Sequence, residues 1–491
     1  MIENTRTERD FLGEIQIPTD KFYGIHTVRA KENFPITGYA IHKVLIQSLA
    51  MVKQAAAKAN NDEDPRWEAI VSACQDVIEG RYHEYFIVDP IQGGAGTSIN
   101  MNTNEVIANI ALVRMGLAKG TYDRINPHNH VNKSQSTNDV VPTASNIAIR
   151  ILLDELIATM ESLHASFEAK AREFDHIVKI GRTHLQDAVP IRLGQEFNAY
   201  ARVLKRDIER IKKTGNSLYE VNMGATAVGT ALNTQIDYAN SVITHLSKIT
   251  SEFTGREFTI KRCENLVDGT QNVDGYTEVS AVLKICMTNM SKIANDMRLM
   301  VSGPTSGFGE ISIPERQEGS SIMPGKVNPV MLELINQVSF QVTGNDQTIS
   351  LAAGAGQFEL NVMVPVLVFN LIQSISIMNN AFKVLKEFCI DGVHLTERNL
   401  TNMARYVNEC AGVATALTPD IGHHVASQIA REALEQKTSV LEVTMQTDIH
   451  EKLGLSPKNA ARLKVLQERG RDYVQQILDP DEMTRMGEKL S

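Results

Sequence analysis

From Ala144 to Phe174 apolar residues recur every three or four positions, at Ile149, Leu152, Leu153, Leu156, Met160, Leu163, Phe167, Ala171 and Phe174, with no internal Gly or Pro. Such a stripe marks an amphipathic helix of about thirty residues. A second stretch, Glu196 to about Lys213, sets Phe197, Tyr200, Leu204, Ile208 and Ile211 on one face and Lys205, Arg206, Glu209 and Arg210 off it. The third, Glu278 to Met300, is apolar around most of its circumference, so it is expected to be buried all round, inside a bundle or a subunit interface. Further helical stretches follow at Asn328 to Ser350 and Leu360 to Phe388. Period-two alternation is scarce, and the expected fold class is mainly α.

The 491 residues correspond to about three structural units. The expected division is an N-terminal, mainly helical domain over 1–140, a central helix bundle over 141–390 and a small helical domain over 391–491. In the last of these LTPDIGHH and GLSPKN read as turns. No internal repeat or low-complexity tract interrupts this plan.

The charge balance excludes several classes. With 49 basic and 58 acidic residues the net charge is -9, which leaves no footprint for nucleic acid or anionic lipid. The opening MIENTRTERD lacks the apolar core of a signal peptide. The longest apolar run, Val362 to Phe369, is short of the ~20 residues that span a bilayer, so no membrane association is expected. Five scattered cysteines, an odd number without a C-x-x-C pair, signal neither a disulfide framework nor a zinc knuckle, and a cytoplasmic location fits. His128-Asn129-His130 and His423-His424 lack a third ligand, so they read as surface or cap histidines and no metal site is expected.

Four polar segments break the helical scaffold: GGAGTSINMNTNE (93–105), HVNKSQSTND (130–139), GRTHLQDAVP (181–190) and GSSIMPGKVNP (319–329). Taken singly, each reads as a loop or helix cap. Together they supply uncharged donors at Thr97, Ser136, Thr137, Asn138, Thr183, Ser321 and Asn328, and one cation, Lys326. A carboxylate offers about four lone-pair sites, so a small dicarboxylate suits such a donor set. Phosphate is disfavoured, since GGAGTSIN lacks the Lys spacing of a nucleotide loop and follows no predicted strand. In GSSIMPGKVNP, Gly319 and Gly325 free the backbone while Pro324 and Pro329 stiffen it, as suits a loop that closes over a substrate. A serine hydrolase is disfavoured, because Lys326 lies six residues after Ser320 and no G-x-S-x-G elbow is present.

GSSIMPGKVNP resembles the signature of the fumarase and aspartase superfamily. Within it, DFLGEIQIPTDKFYGIHTVRAKENFPITGY, FIVDPIQGGAGTSINMNTNEVIAN, QSTNDVVPT and GRTHLQDAVPIRLGQEF resemble the aspartate ammonia-lyase branch more than class II fumarases. The resemblance covers about residues 5 to 445. It implies reversible conversion of L-aspartate to fumarate and ammonium, through abstraction of the β-carbon proton and an enediolate intermediate. By the same resemblance, Ser320 is the general base. Thr97, Ser136, Thr137 and Ser321 hold the β-carboxylate, Thr183, Lys326 and Asn328 clamp the α-carboxylate, and Asn138 and His184 stand beside the leaving amine. The implied fold is a three-domain one, with five long helices per chain forming a twenty-helix core in a homotetramer whose sites are shared between three subunits. No cofactor is implied; magnesium activation occurs in some relatives and the sequence leaves it open.

Three departures accompany the resemblance. Thr305 stands where the family usually has the arginine of G-P-R, Glu318 replaces the usual proline before the loop, and DIHEKLGLSPKNAARLKVLQERGRD reads as an inserted, solvated helical hairpin. The alternatives are fumarate hydration to L-malate, a lyase for a substituted aspartate, or a catalytically dead homologue, against which the intact Ser320, Lys326, Asn328 and His184 argue.

Overall fold

The computed structural model describes residues 4–485. Over them the chain forms nineteen α-helices and three two-stranded sheets. It packs as two compact units, each drawn from three stretches. The first takes residues up to Thr159, Asp207–Thr288 and Gln337–Asn380; the second takes Met160–Arg206, Asn289–Asn336 and the chain from Ala381.

Five long helices carry the expected periodicities: Thr137–Glu173, Leu193–Thr214, Asp274–Val301, Val330–Gly354 and Val364–Phe388. Their apolar faces supply the core, and buried polar side chains lace them together. In the first unit Ser280 Oγ donates to Asp346 Oδ1 (2.8 Å), Asn345 Nδ2 to Ser374 Oγ (2.9 Å) and Thr159 Oγ1 to Asn379 Oδ1 (2.6 Å). In the second, Asn336 Nδ2 donates to Ser291 Oγ (2.8 Å), and the Phe197 ring packs against Phe167 and Phe174 with centroids 6.4 and 5.4 Å away. The Val364–Phe388 helix is long and apolar enough, by length and composition alone, to cross a bilayer. Its buried Asn370, Ser374 and Asn379 nevertheless find their partners inside the protein, as a core helix requires.

Three expectations change. The Thr137–Glu173 helix begins seven residues before Ala144, because Ser136 and Asp139 cap it reciprocally: Ser136 N donates to Asp139 Oδ1 (2.9 Å) and Asn138 N to Ser136 Oγ (3.3 Å). The Asp274–Val301 helix is not buried all round within one chain. Leu283, Cys286, Met287, Met290 and Met297 are buried, but Ile285 and Leu299 stay 41% and 39% exposed.

The tail is not a solvated hairpin. Its helices Ile449–Lys452 and Pro457–Glu468 place Ile449, Leu463 and Leu466 in an apolar cluster with Leu417, Val425, Ile429, Val443 and Val474. Three apolar anchors outweigh the charges that dominate its composition. All five cysteines are free.

Candidate active site

In the first unit an open pocket of about 580 Å³ is lined by Thr97, Ser136 and Thr137 together with His26, Asn100, His128, Asn132, Thr226 and Ala227. Two helices begin at it. Thr97 is the first residue of Thr97–Arg114, following Gly96 in the left-handed conformation (φ 92°), and Thr137 is the first of Thr137–Glu173. The first N–H groups of a helix have no partner within it, and the helix dipole is positive there, so two such ends at one pocket favour an anion. A Cβ on Gly96 would stand 3.0 Å from Val141, so glycine also lets the two helix starts approach each other.

Asn138 does not line this pocket but borders a neighbouring cavity with Asn222, Asp268 and Tyr276, and it is held from both sides. Its Nδ2 donates to Ala227 O (2.7 Å) and its carbonyl accepts from Asn222 Nδ2 (2.9 Å). That leaves Oδ1, an acceptor suited to an ammonium group. Beneath it Asp139, fully buried, accepts from the backbone N–H of Ser136, Gly224 and Thr226 and so ties residues 224–226 to the pocket wall. Burial pushes its carboxyl up to about 6. His26 and His128 stand with their Nε2 atoms 3.1 Å apart; burial lowers both pKa values, so the pair is neutral near pH 7 and one ring donates to the other. His128 is exposed, as a surface histidine would be, and it also lines the pocket. His130 accepts from Asn126 N at Nδ1 (2.8 Å) and meets Arg66 through Nε2.

The remaining candidates belong to the second unit, and none of them lines this pocket. Thr183 and His184 sit at the tip of an antiparallel hairpin, Val178–Thr183 with Gln186–Arg192. His184 and Leu185 form its two-residue turn, both at positive φ (57° and 62°), which puts His184 and an exposed Leu185 outward. The hairpin is anchored at its base. Buried Lys179 donates to Glu196 (2.9 Å) and Glu310 (2.6 Å), and Arg182 pairs with Glu310 (2.7 Å) while covering the Phe308 ring at 4.2 Å. Glu310 therefore fixes the hairpin to the segment that leads into the 319–329 loop.

That loop has a closed neck. Gly319 N donates to Lys326 O (2.7 Å), and Asn328 Nδ2 donates back to Gly319 O (2.8 Å). A Cβ on Gly319 would lie 2.4 Å from Lys326 O, so only glycine fits. Above the neck, Ser320 Oγ accepts the backbone N–H of Ile322 (3.2 Å) and Met323 (3.0 Å). Two donors on one hydroxyl oxygen favour its deprotonated form, as an oxyanion hole does. Ser321 and Lys326 are exposed on the same loop. Among the described residues no three His, Cys, Asp or Glu side chains gather as a metal site would require.

Sequence reasoning passed over Asp139, His26, Glu310 and Lys179. Asp139 was signalled by the S-x-x-D spacing of a helix cap. The others carry no local pattern, since what distinguishes them is the company the fold gives them.

A family model described as Lyase matches residues 13–344. The chain belongs to that lyase family. Within it, the chain is 56% identical over 486 residues to the aspartate ammonia-lyase of Bacillus subtilis (strain 168), covering 98% of this chain and 96% of the relative. That coverage takes in the tail that read as an insertion. Among solved structures, a fumarate lyase:delta crystallin from Brucella melitensis superposes with a TM-score of 0.87 at 43% identity, covering 98% of this chain and 99% of that one. A class II fumarase from Schistosoma mansoni gives 0.89 at 30% identity with the same coverage. The lyase thus has the fumarase-type helical fold.

Proposed function

We propose that this lyase is an aspartate ammonia-lyase, converting L-aspartate reversibly to fumarate and ammonium. The observation that carries the reading is the 56% identity, over nearly the full length of both chains, to a protein bearing that name. The site geometry supports the chemistry. The β-carbon proton of aspartate is far less acidic than any side chain, so its removal requires a positioned base and a sink for the charge.

Ser320 is the base in this reading. As an alkoxide held by the N–H groups of Ile322 and Met323, its Oγ takes the proton, and the C–H electron pair moves into the β-carboxylate to give a doubly negative enediolate. Ser136, Thr137 and Ser321 donate to those oxygens, joined by Thr97 once its hydroxyl turns away from Gly94 O, to which it donates at 2.8 Å, and the two helix starts oppose the charge. Lys326, Thr183 and Asn328 hold the α-carboxylate. When the enediolate collapses, the Cα–N bond breaks and nitrogen leaves as ammonia beside Asn138 and His184, then takes up a proton as ammonium. This chemistry needs no resident cofactor.

From the resemblance to the fumarase and aspartase superfamily we infer a homotetramer in which three subunits contribute to each site. The exposed Ile285, Leu299, Phe340 and Leu351 on two of the long helices support such an assembly. The division into domains at about 140 and 390 is part of the same proposal, supported by the separate apolar cluster of residues 414–478. A cytoplasmic location is part of the same proposal, supported by the free thiols.

The test is to follow fumarate by ultraviolet absorbance with L-aspartate or L-malate as sole substrate. Fumarate and ammonium in equal amounts from aspartate alone are expected. Fumarate from malate alone would make the protein a fumarase instead.

A further inference from the structure

Lys53 lies on the Lys43–Ala59 helix and is completely buried. Its Nζ donates to Asn132 Oδ1 (2.8 Å) and Gln135 Oε1 (3.0 Å), and neither acceptor is a carboxylate. A buried lysine facing neutral amides is costly, which asks what it does there. Its two contacts each take an Nζ–H, which the amine keeps even after losing one proton, so both amides turn their oxygens inward.

The consequence passes along a chain. Asn132 Oδ1 also accepts from Asn100 Nδ2 (3.3 Å) and Asn104 Nδ2 (3.2 Å), so both of those amides present nitrogen to it. The same Asn100 Nδ2 donates to Thr137 Oγ1 (3.1 Å). With a lone pair engaged there, the Thr137 hydroxyl keeps its proton for the pocket. Were Asn100 reversed, the protein would consume that proton and an anion would meet a lone pair. Meanwhile Asn100 Oδ1 and Asn104 Oδ1, both buried, receive no donor. The orientation therefore serves the lysine rather than the satisfaction of every atom.

We propose that Lys53 is a positioning residue for the carboxylate end of the site: through Asn132 and Asn100 it sets the polarity of Thr137, so that the hydroxyl donates into the pocket. The proposal rests on the reading of this pocket as a carboxylate subsite. It accounts for a buried lysine that touches no substrate.

The test is a double-mutant cycle of wild type, Lys53→Met, Thr137→Val and the double variant, reading succinate binding by calorimetry and assembly by sedimentation. Lys53→Met is expected to assemble and to weaken succinate about tenfold, while adding less than about twofold in the Thr137→Val background. Unchanged binding, or losses that simply multiply, would overturn the proposal. If Lys53→Met does not assemble, Asn100→Leu probes the same chain one link closer. It should weaken succinate about fivefold and be silent in the Thr137→Val background, and an unaltered affinity contradicts the proposal. A wild-type protein that binds neither succinate nor fumarate would instead overturn the functional reading.

Discussion

A serine hydroxyl serves as a base only where its oxyanion is held, and the Ile322 and Met323 N–H groups hold Ser320 Oγ. Ser320→Ala is therefore expected to lower kcat by about 10²–10⁴-fold while leaving succinate affinity near that of the wild type. Near-normal turnover would remove Ser320 as the base. Lys53 gives a second, thermodynamic prediction. Burial lowers its pKa from 10.5 to about 7 in the folded protein. Below pH 7 both states are charged and folding bears the full cost of burying the ammonium; as pH rises towards 10.5 the folded state sheds the proton first and that cost fades. From pH 7 to pH 9, stability should thus move in favour of wild type over Lys53→Met, by roughly 1.4 kcal/mol per pH unit at most, as read from urea midpoints. A pH-independent difference would contradict a buried, depressed lysine. In the sequence, Lys53 is one lysine in an alanine-rich helix, and only the fold brings Asn132 and Gln135 onto it. Thr97, Ser136 and Thr137 were legible because hydroxyl-rich runs are unusual among long apolar helices.

Elements differ in how they announce themselves. The five long helices could be read because burial of one face imposes a 3.6-residue period that polar neighbours do not erase. The Val178–Arg192 hairpin could not: it is two short strands with mixed exposure, and its turn uses His184 and Leu185 instead of the Asn-Gly that marks such turns. The tail misled in the opposite sense, its charges masking the apolar anchors Leu463 and Leu466. The 319–329 loop was visible as a motif, but its neck was not, because Gly319 and Lys326 pair through backbone atoms. Gly319→Ala should open that neck and lower kcat at least about tenfold, with a melting temperature within a few degrees of wild type, since the loop carries little of the core. Unchanged kcat would show that the neck does not position Ser320.

At the scale of the whole molecule, one chain leaves large apolar side chains uncovered along helices that otherwise build its core. Phe340 is 69% and Leu351 66% exposed on Val330–Gly354. Phe340→Asp is expected to dissociate the assembly and abolish turnover together, as sedimentation and the fumarate assay would show. An active monomer would contradict shared sites. The central claim is that a donor pocket on one copy works with a base loop on another. Its most direct test is complementation between Thr137→Val and Ser320→Ala, each inactive alone, co-expressed with different tags and purified as hybrids. Random pairing should restore about a quarter of wild-type sites, and with them measurable fumarate release from L-aspartate. Hybrids as inactive as either parent would place pocket and base on the same chain and contradict the account.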